Sequence, residues 1–532
     1  MLTRRDLLAG VGASVALGAV SAGCGDTAAT PVTDAGTAPL DGGPPIDMVD
    51  FLHGVASGDP LVDRVILWTR VTPRAGVAGT ATVRWETSST PDFATITDSG
   101  TFVTTAARDY TVKVNVTNLT AGTTFYYRFS VGATRSPVGR TRTAPTGSVD
   151  RLRFAVVSCS SYAHGYFHAY RDIAERADLD AVLHLGDYIY EFPNYLYGNV
   201  RTYDPPTPTV TLADYRRRYA HYRRDADLRA VHQQHPFIAI WDDHEFANNA
   251  WRDGADNHFP ETEGPWPVRK AAAMQAYFEW MPIREQSAGR IWRRFAFGNL
   301  VDLSMLDTRI WGRSPQEIEP SNDPTRLILG ADQEQWLLGN LASATARWKV
   351  IGQQVMIGSI RPQINPDAWE GYPVARTRFL QALATMRTTN VAMLTGDVHS
   401  SWALDIAVDP FTAAAYNPTT GAGALGVEFV TPAVTSPGDD PNGLIPPLLA
   451  QNPHLRYGEP GLRGFVILDC TPERLQAAWY HLAAGSIEQR ERQRTAFGSA
   501  WSTLNGSNRL SPGGEPAMPR DNPPALAPWE PT

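Results

Sequence analysis

The chain has 532 residues, 43% of them hydrophobic and 19% charged, with 15 Trp, 19 Tyr and 19 Phe, a composition that excludes a disordered protein and suits a large buried core. Its 47 Lys and Arg against 55 Asp and Glu leave a net charge of -8, which excludes a general nucleic-acid binder because phosphate backbones require a basic footprint. The length allows roughly three to four average domains, or two with long insertions.

In chain order, residues 1–24 read as an export address. Thr3-Arg4-Arg5-Asp6-Leu7-Leu8 is a twin-arginine signature ahead of a modestly apolar stretch from Leu7 to Val20, and that route carries folded proteins. The stretch is shorter than the ~20 apolar residues of a membrane span, and no later run reaches that length. Cys24 follows Ser21-Ala22-Gly23, similar to a lipobox with Ser in place of the usual Leu. Lipidation of Cys24 and soluble release after cleavage near Ala19-Val20-Ser21 are both open. Residues 25–45, mostly Ala, Thr, Gly, Asp and Pro, make a flexible tether in either case.

Residues 46–147 are predicted to be all-β. Thr82-Val83-Arg84-Trp85-Glu86 and the run from Tyr110 to Val116 alternate at period two, and the run from Thr123 to Ser130 follows the turn Leu119-Thr120-Ala121-Gly122. Short strands with regular turns predict a β-sandwich, and the turn with Tyr126-Tyr127-Arg128 is similar to the tyrosine-corner region of fibronectin type III domains. Gly139 to Pro145 reads as a linker.

From Leu152 the pattern changes to apolar runs separated by helical or long polar stretches, predicting an α/β layered domain over residues 148–510. The expected strands are 152–158, 179–185, 237–242, 300–306, 348–356, 390–396, 426–431 and 464–470. Residues 511–532, rich in Pro and Gly, read as an irregular tail. What stands at the strand ends matters most. Cys159 follows the first, Gly186-Asp187-Tyr188-Ile189-Tyr190 the second, Asp242-Asp243-His244-Glu245 the third and Gly396-Asp397-Val398-His399 the sixth. Open α/β sheets bind ligands just outside the carboxyl ends of their strands.

Each motif alone has a bland reading. Asp after a strand is a common helix cap, and Cys159 could be an inert core thiol. Taken together they point elsewhere. Three carboxylates crowded at 242–245 repel one another unless a cation or basic partner neutralises them. Hard oxygens from Asp187, Asp243 and Asp397, the His399 imidazole and a Cys159 thiolate suit a mixed site holding more than one metal. His164 and His168, at i and i+4, are read as solvated or pocket-wall residues rather than ligands. Cys470 ends an apolar run and reads as a buried small hydrophobe, with a Cys159–Cys470 disulfide as the minor alternative. The chain lacks H-E-x-x-H, G-x-x-x-x-G-K-[ST] and G-x-S-x-G, which excludes zincin, P-loop and nucleophile-elbow chemistry.

With these motifs in order, the chain resembles the PhoD-type alkaline phosphatases of the calcineurin-like metallophosphoesterases. The resemblance runs from Phe51-Leu-His-Gly-Val-Ala-Ser-Gly-Asp-Pro60 and Ile66-Leu-Trp-Thr-Arg70 through Ser158-Cys159, Gly186 to Tyr190 and Trp241 to Glu245 with Asn248-Asn249. It continues through Leu306-Asp-Thr-Arg309 and Thr395 to His399, and ends at Phe429-Val-Thr-Pro432. It implies a four-layer α/β/β/α core preceded by a fibronectin/Ig-like β-sandwich, export by the twin-arginine path, and Fe(III) with Ca(II) at the active site. Cys159 then fills the slot that most metallophosphoesterases give to Asp-x-His. By position, Cys159, Asp187, Tyr190 and His399 would bind Fe(III), with Asp187 bridging to calcium and Asp243, Asp397 and Asn248 completing the calcium side. His244 would protonate the leaving oxygen or hold the phosphate. Arg252 and Arg309 are candidate phosphate contacts, with a structural salt bridge as the alternative for each. The implied reaction is in-line attack on a phosphomonoester or phosphodiester by a metal-bound hydroxide or oxide. Its partners would be small-molecule phosphoesters, the export machinery and, through Cys24, a lipid anchor at the cell surface. A phospholipase D acting on lipid headgroups is the alternative, and a catalytically silent surface-binding protein the reading from a different class.

Overall fold

The computed structural model describes residues 43–74, 77–317, 322–362, 365–438 and 445–529. The twin-arginine segment, Cys24 and the tether up to residue 42 lie outside the described residues. No described helix is long and apolar enough to cross a membrane.

The strand Leu152–Val157, LRFAVV, is buried at every position, as expected of a strand covered on both faces. It runs parallel to Ala181–His184, which runs parallel to Pro236–Ala239. On its other side Gly464–Cys470 is antiparallel to it, and Arg474–His481, Ala496–Leu504 and Leu510–Pro512 follow in turn. A second sheet has the order Arg293–Phe297, Val301–Met305, Trp348–Gln353, Val391–Thr395, Gly426–Val430, Ser401–Ile406, Leu455–Glu459. Each of the eight runs expected as strands is one, differing only at its ends. The two sheets share a core. Val156 and Leu183 of the first lie in one buried cluster with Leu303, Val350, Leu394 and Phe429 of the second, and the Phe154 and Phe297 rings meet edge to face at 5.1 Å. Leu337 of helix Ala331–Ser343 and Phe379 and Leu383 of helix Pro373–Met386 join Ile351 and Met393 of the second sheet in a separate cluster.

The expectation of a linker that sets the N-terminal β-region apart is corrected. Gly139–Arg142 is itself a strand, and Val55–Gly58, Val65–Arg70 and Thr111–Val116 extend the first sheet to ten strands. The join is the parallel pairing of Ser57 with Pro236 and Gly58 with Phe237. Gly58 permits it, since an added Cβ would lie 2.1 Å from the Pro282 carbonyl. Ala81–Ser88, Ile96–Thr104, Thr124–Val131, Thr134–Arg135 and Gly139–Arg142 form a separate sheet, and Val83, Tyr127 and Phe129 from it pack on Val55, Val65 and Leu67. The tyrosine-corner reading also fails, because the Tyr126 hydroxyl donates not to nearby backbone but to the Ala525 carbonyl at 2.6 Å.

That bond belongs to the segment read as an irregular tail. Over its described residues it starts with the strand Leu510–Pro512 and is then irregular but docked at several points. Gln476 donates to the carbonyls of Gly513 and Glu515, Arg151 and Arg153 to that of Met518, and Gln234 exchanges two hydrogen bonds with Ala527. Ala527 packs with Phe93 and Tyr126.

The disulfide alternative is excluded by register. Cys470 pairs with Leu152 at one end of a strand and Cys159 lies beyond its other end. At about 3.3 Å per residue that separates the thiols by roughly 20 Å, against about 7 Å at most between the Cα atoms of a disulfide. Both cysteines are free.

Candidate metal centre

The four motif-bearing strand ends meet at one rim. Cys159, Asp187, Asp397 and His399 all adopt left-handed backbone conformations, with φ of 60°, 54°, 58° and 62°. For non-glycine residues each costs on the order of 1–3 kcal/mol and persists only where the surroundings over-determine it. The turns swing the side chains inward at the point where each strand ends.

Three donor groups result: Cys159, Asp187 and His399; Asp187, Asp243 and His244; and Asp242, Asp243 and Asp397, each with ligand atoms within 4.8 Å of one another. Asp187 belongs to the first two and Asp243 to the last two, so the groups form one continuous site with a mixed end and an all-carboxylate end. Tyr190 adjoins the mixed end. Its hydroxyl donates to Asp187 Oδ2 at 2.9 Å, accepts from Ser436 at 2.6 Å and lies 3.3 Å from His399 Nε2. His399 Nδ1 donates to the Pro437 carbonyl at 2.8 Å, which fixes the tautomer and turns Nε2 toward Tyr190 and Asp187.

The donor set fits cations. Burial, then the Asp187 charge, pushes the Cys159 thiol and the Tyr190 phenol well above their ordinary values, so their anionic ligand forms need a neighbouring positive charge. Burial also pushes Asp242 well up, and Asp187, Asp243 and Asp397 add to this against the pull of Arg309. Asp242 Oδ2 and Asp243 Oδ1 are buried without a hydrogen-bond partner, the condition a metal relieves.

His244 has Nδ1 2.7 Å from Glu191 and Nε2 4.0 Å from Asp243, and its ring stacks on Tyr190 at 4.3 Å. Burial opposes its protonation, but Asp243, Glu191 and Asp187 outweigh burial and raise its pKa well above the ordinary value. Glu191 also accepts from the backbone N–H of Asn248 at 2.7 Å and from the Asn257 side chain at 2.6 Å. Asn248 is thereby fixed through its backbone at the edge of the site, and the Asn249 N–H donates to Asp243 at 2.5 Å.

The two candidate phosphate contacts are placed differently from the expectation. Arg309 is fully buried and its donors are consumed: Nε by Asp242 at 2.5 Å, Nη1 by Asp367 at 2.7 Å and Nη2 by Asp397 at 2.9 Å. It is the counter-charge of the carboxylate end, not a hand held out to substrate. Arg252 is exposed and folded onto Asp253 at 2.7 Å. His164 bonds Ser161 at 2.8 Å and packs edge-on to Tyr197, which stacks on Tyr190. His168 turns away to the Gln489 carbonyl, so the two histidines face different surroundings.

Sequence reasoning passed over Asp242 as a candidate ligand, Glu191 as the partner of His244, Asp367 as the anchor of Arg309 and Ser436 as a donor to Tyr190. Only Asp242 carried a local signal, its adjacency to Asp243.

The α/β fold gathers these donors at its carboxyl rim, and the chain belongs to the PhoD-like phosphatase family, which makes it a phosphoric ester hydrolase. The family's model matches residues 154–479, and the model of the PhoD-like phosphatase N-terminal domain matches residues 38–145. Among curated proteins, alkaline phosphatase D of Bacillus subtilis (strain 168) is 38% identical over 473 residues, covering 82% of this chain and 78% of that protein. A solved structure of PhoD superposes with a TM-score of 0.82 at 34% identity, over 89% of this chain and 94% of the other.

Proposed function

We propose that the protein is an exported phosphoesterase that hydrolyses soluble phosphomonoesters, with appreciable activity on phosphodiesters, using Fe(III) and Ca(II). The observation that carries this reading is the pair of donor groups that meet at Asp187. Thiolate, phenolate, imidazole and carboxylate from Cys159, Tyr190, His399 and Asp187 suit a ferric ion. The carboxylates of Asp243 and Asp397, with Asn248 and the added Asp242, suit calcium. The expected α/β/β/α layering is supported by the two clusters that place sheet against sheet and helix against sheet.

When bound, adjacent cations generate a nucleophile near neutral pH and spread the charge on the phosphoryl oxygens. The chain's own residues supply the rest. Glu191 holds the Nδ1 side of His244, leaving Nε2 facing Asp243 and the site, where the imidazolium protonates the departing alkoxide. Arg309 supplies a counter-charge to Asp242, Asp243 and Asp397 without occupying the phosphate position.

Purified protein is expected to hydrolyse p-nitrophenyl phosphate and, less rapidly, bis-p-nitrophenyl phosphate, best above neutral pH, and to lose both activities on chelation. The relative's name, alkaline phosphatase, supports the pH range. Activity confined to phosphatidylcholine would replace this reading with the phospholipase D one, and inactivity of fully metal-loaded protein would leave the surface-binding reading.

Export is part of the same proposal and rests on Arg4-Arg5. Replacing both arginines by lysine is expected to strand precursor in the cytoplasm, and unchanged export would exclude the twin-arginine route. If Cys24 carries a lipid, Cys24→Ser releases the protein from the membrane fraction; unaltered fractionation would rule the anchor out.

A further inference from the structure

Glu245 closes the motif Asp242-Asp243-His244-Glu245, yet it belongs to none of the three donor groups. Its side chain is fully buried and forms no ion pair among the described residues. Instead the carboxylate accepts three backbone N–H groups: Oε2 takes those of Asp187 at 3.1 Å and Asp242 at 2.7 Å, and Oε1 takes that of Tyr188 at 2.5 Å. These donors come from two loops, one following Ala181–His184 and the other following Pro236–Ala239. Asp187 sits where the mixed donor group meets the next, and Asp242 sits in the all-carboxylate group at the far end. One carboxylate therefore ties together the backbones of ligands at both ends of the site.

A second feature shows how closely the loops are pressed. Gly186, at φ 109°, has no room for a side chain, since an added Cβ would lie 2.4 Å from Asp242 Cβ and 2.6 Å from its nitrogen. Asp187 beside it holds a left-handed conformation at φ 54°, which needs an external restraint. The Glu245 bond to the Asp187 N–H supplies one. From below, the Ser160 hydroxyl reaches the Asp187 carbonyl at 3.2 Å and so holds the other side of the same residue.

We propose that Glu245 is a positioning residue that sets the spacing between the two cation subsites by clamping the Asp187 and Asp242 loops together. The inference rests on the two-cation reading above. It predicts that loosening the clamp weakens metal binding more than it weakens the fold. Glu245→Gln keeps size and burial but sets an NH2 group against a backbone donor, and Glu245→Asp keeps the carboxyl group but shortens the reach.

The test uses the full chain. Thermal midpoints are measured after chelation and after reloading with Fe(III) and Ca(II), and bound metal is titrated and quantified by elemental analysis. Wild-type protein is expected to gain stability on reloading. Both variants are expected to bind the metals about 10–100-fold more weakly, the usual consequence of losing a group that orients ligands, and to lose most of the metal-induced gain. Equal destabilisation of the chelated and reloaded forms, with metal affinity unchanged, would make Glu245 a packing residue and overturn the proposal. Should Glu245→Gln not fold, Glu245→Asp, which keeps the carboxyl group, decides between the same outcomes. Wild-type protein that takes up neither metal would overturn the two-cation reading and the clamp with it, whereas normal metal uptake by wild type and variants alike would remove the clamp alone.

Discussion

Cys159→Ala is expected to abolish most activity and to bleach or shift a visible absorption band, while Cys470→Ala does neither. Burial cannot distinguish the two thiols, since both are fully buried and burial pushes both well above their ordinary pKa. Position can. Cys159 lies within reach of Asp187 and His399 at the carboxyl rim, and Cys470 pairs with Leu152 at the opposite strand end. If a ferric ion is held between the Cys159 thiolate and the Tyr190 phenolate, charge transfer from these electron-rich donors colours the protein. Losing one anionic donor then weakens the ferric site and shifts the colour. Cys470→Ala leaves only a small cavity, costing on the order of 1 kcal/mol. Absorption spectra, iron analysis and phosphatase rates of the two variants provide the check. A colourless, iron-free and fully active wild type would end the assignment of Cys159.

The second large effect is expected at Arg309. Its guanidinium lies against Asp242, Asp243, Asp367 and Asp397, while Asp367 also meets Arg313 at 2.6 Å and Asp243 lies 4.0 Å from His244. Arg309→Leu leaves buried carboxylates uncompensated and should cost about 3–5 kcal/mol of stability. Arg309→Lys should recover part of this, because it restores the charge but not the forked geometry. The pH dependence gives a sharper signature. Burial opposes ionisation of Asp367, but Arg309 and Arg313 outweigh it and hold the group well below the usual carboxylate range. Its contribution in the wild type is therefore present above that range and lost as pH falls through the lowered pKa. In Arg309→Leu the orphaned carboxylates shift upward, so the deficit should shrink as pH falls and they take up protons. Denaturant unfolding of both proteins across the acid range measures this. An equal deficit at every pH would mean that Arg309 contributes packing alone.

The strands of the catalytic core were legible because a strand buried on both faces is a continuous apolar run, and LRFAVV or GFVILDC can be little else. The ligand types were legible because they stand immediately after those runs. Their partners were not. Arg309 meets Asp242 across 67 residues and Asp367 across 58, and His244 meets Glu191 across 53. No local spacing encodes such pairings, so Arg309 looked equally suited to substrate and to salt bridge. The first strands misled for a different reason. Val55–Gly58 shares its stretch with the alternating runs 82–86 and 110–116, and its allegiance to the catalytic sheet lies wholly in its parallel neighbour Pro236–Ala239.

The docked C-terminal segment has a bearing on the order in which the molecule is completed. The hydroxyl of Tyr126 waits for a carbonyl 399 residues downstream, and at about 5–20 residues per second a ribosome takes roughly 20–80 s to make the intervening chain. Phe93, Tyr126 and the paired glutamines Gln233 and Gln234 therefore lack these partners until Ala525, Ala527 and Pro528 have been made. A nascent chain cut short before Ala525 would carry every donor of the rim yet leave that flank open, so synthesis of this segment is recorded physically at a seam far along the chain from the chemistry.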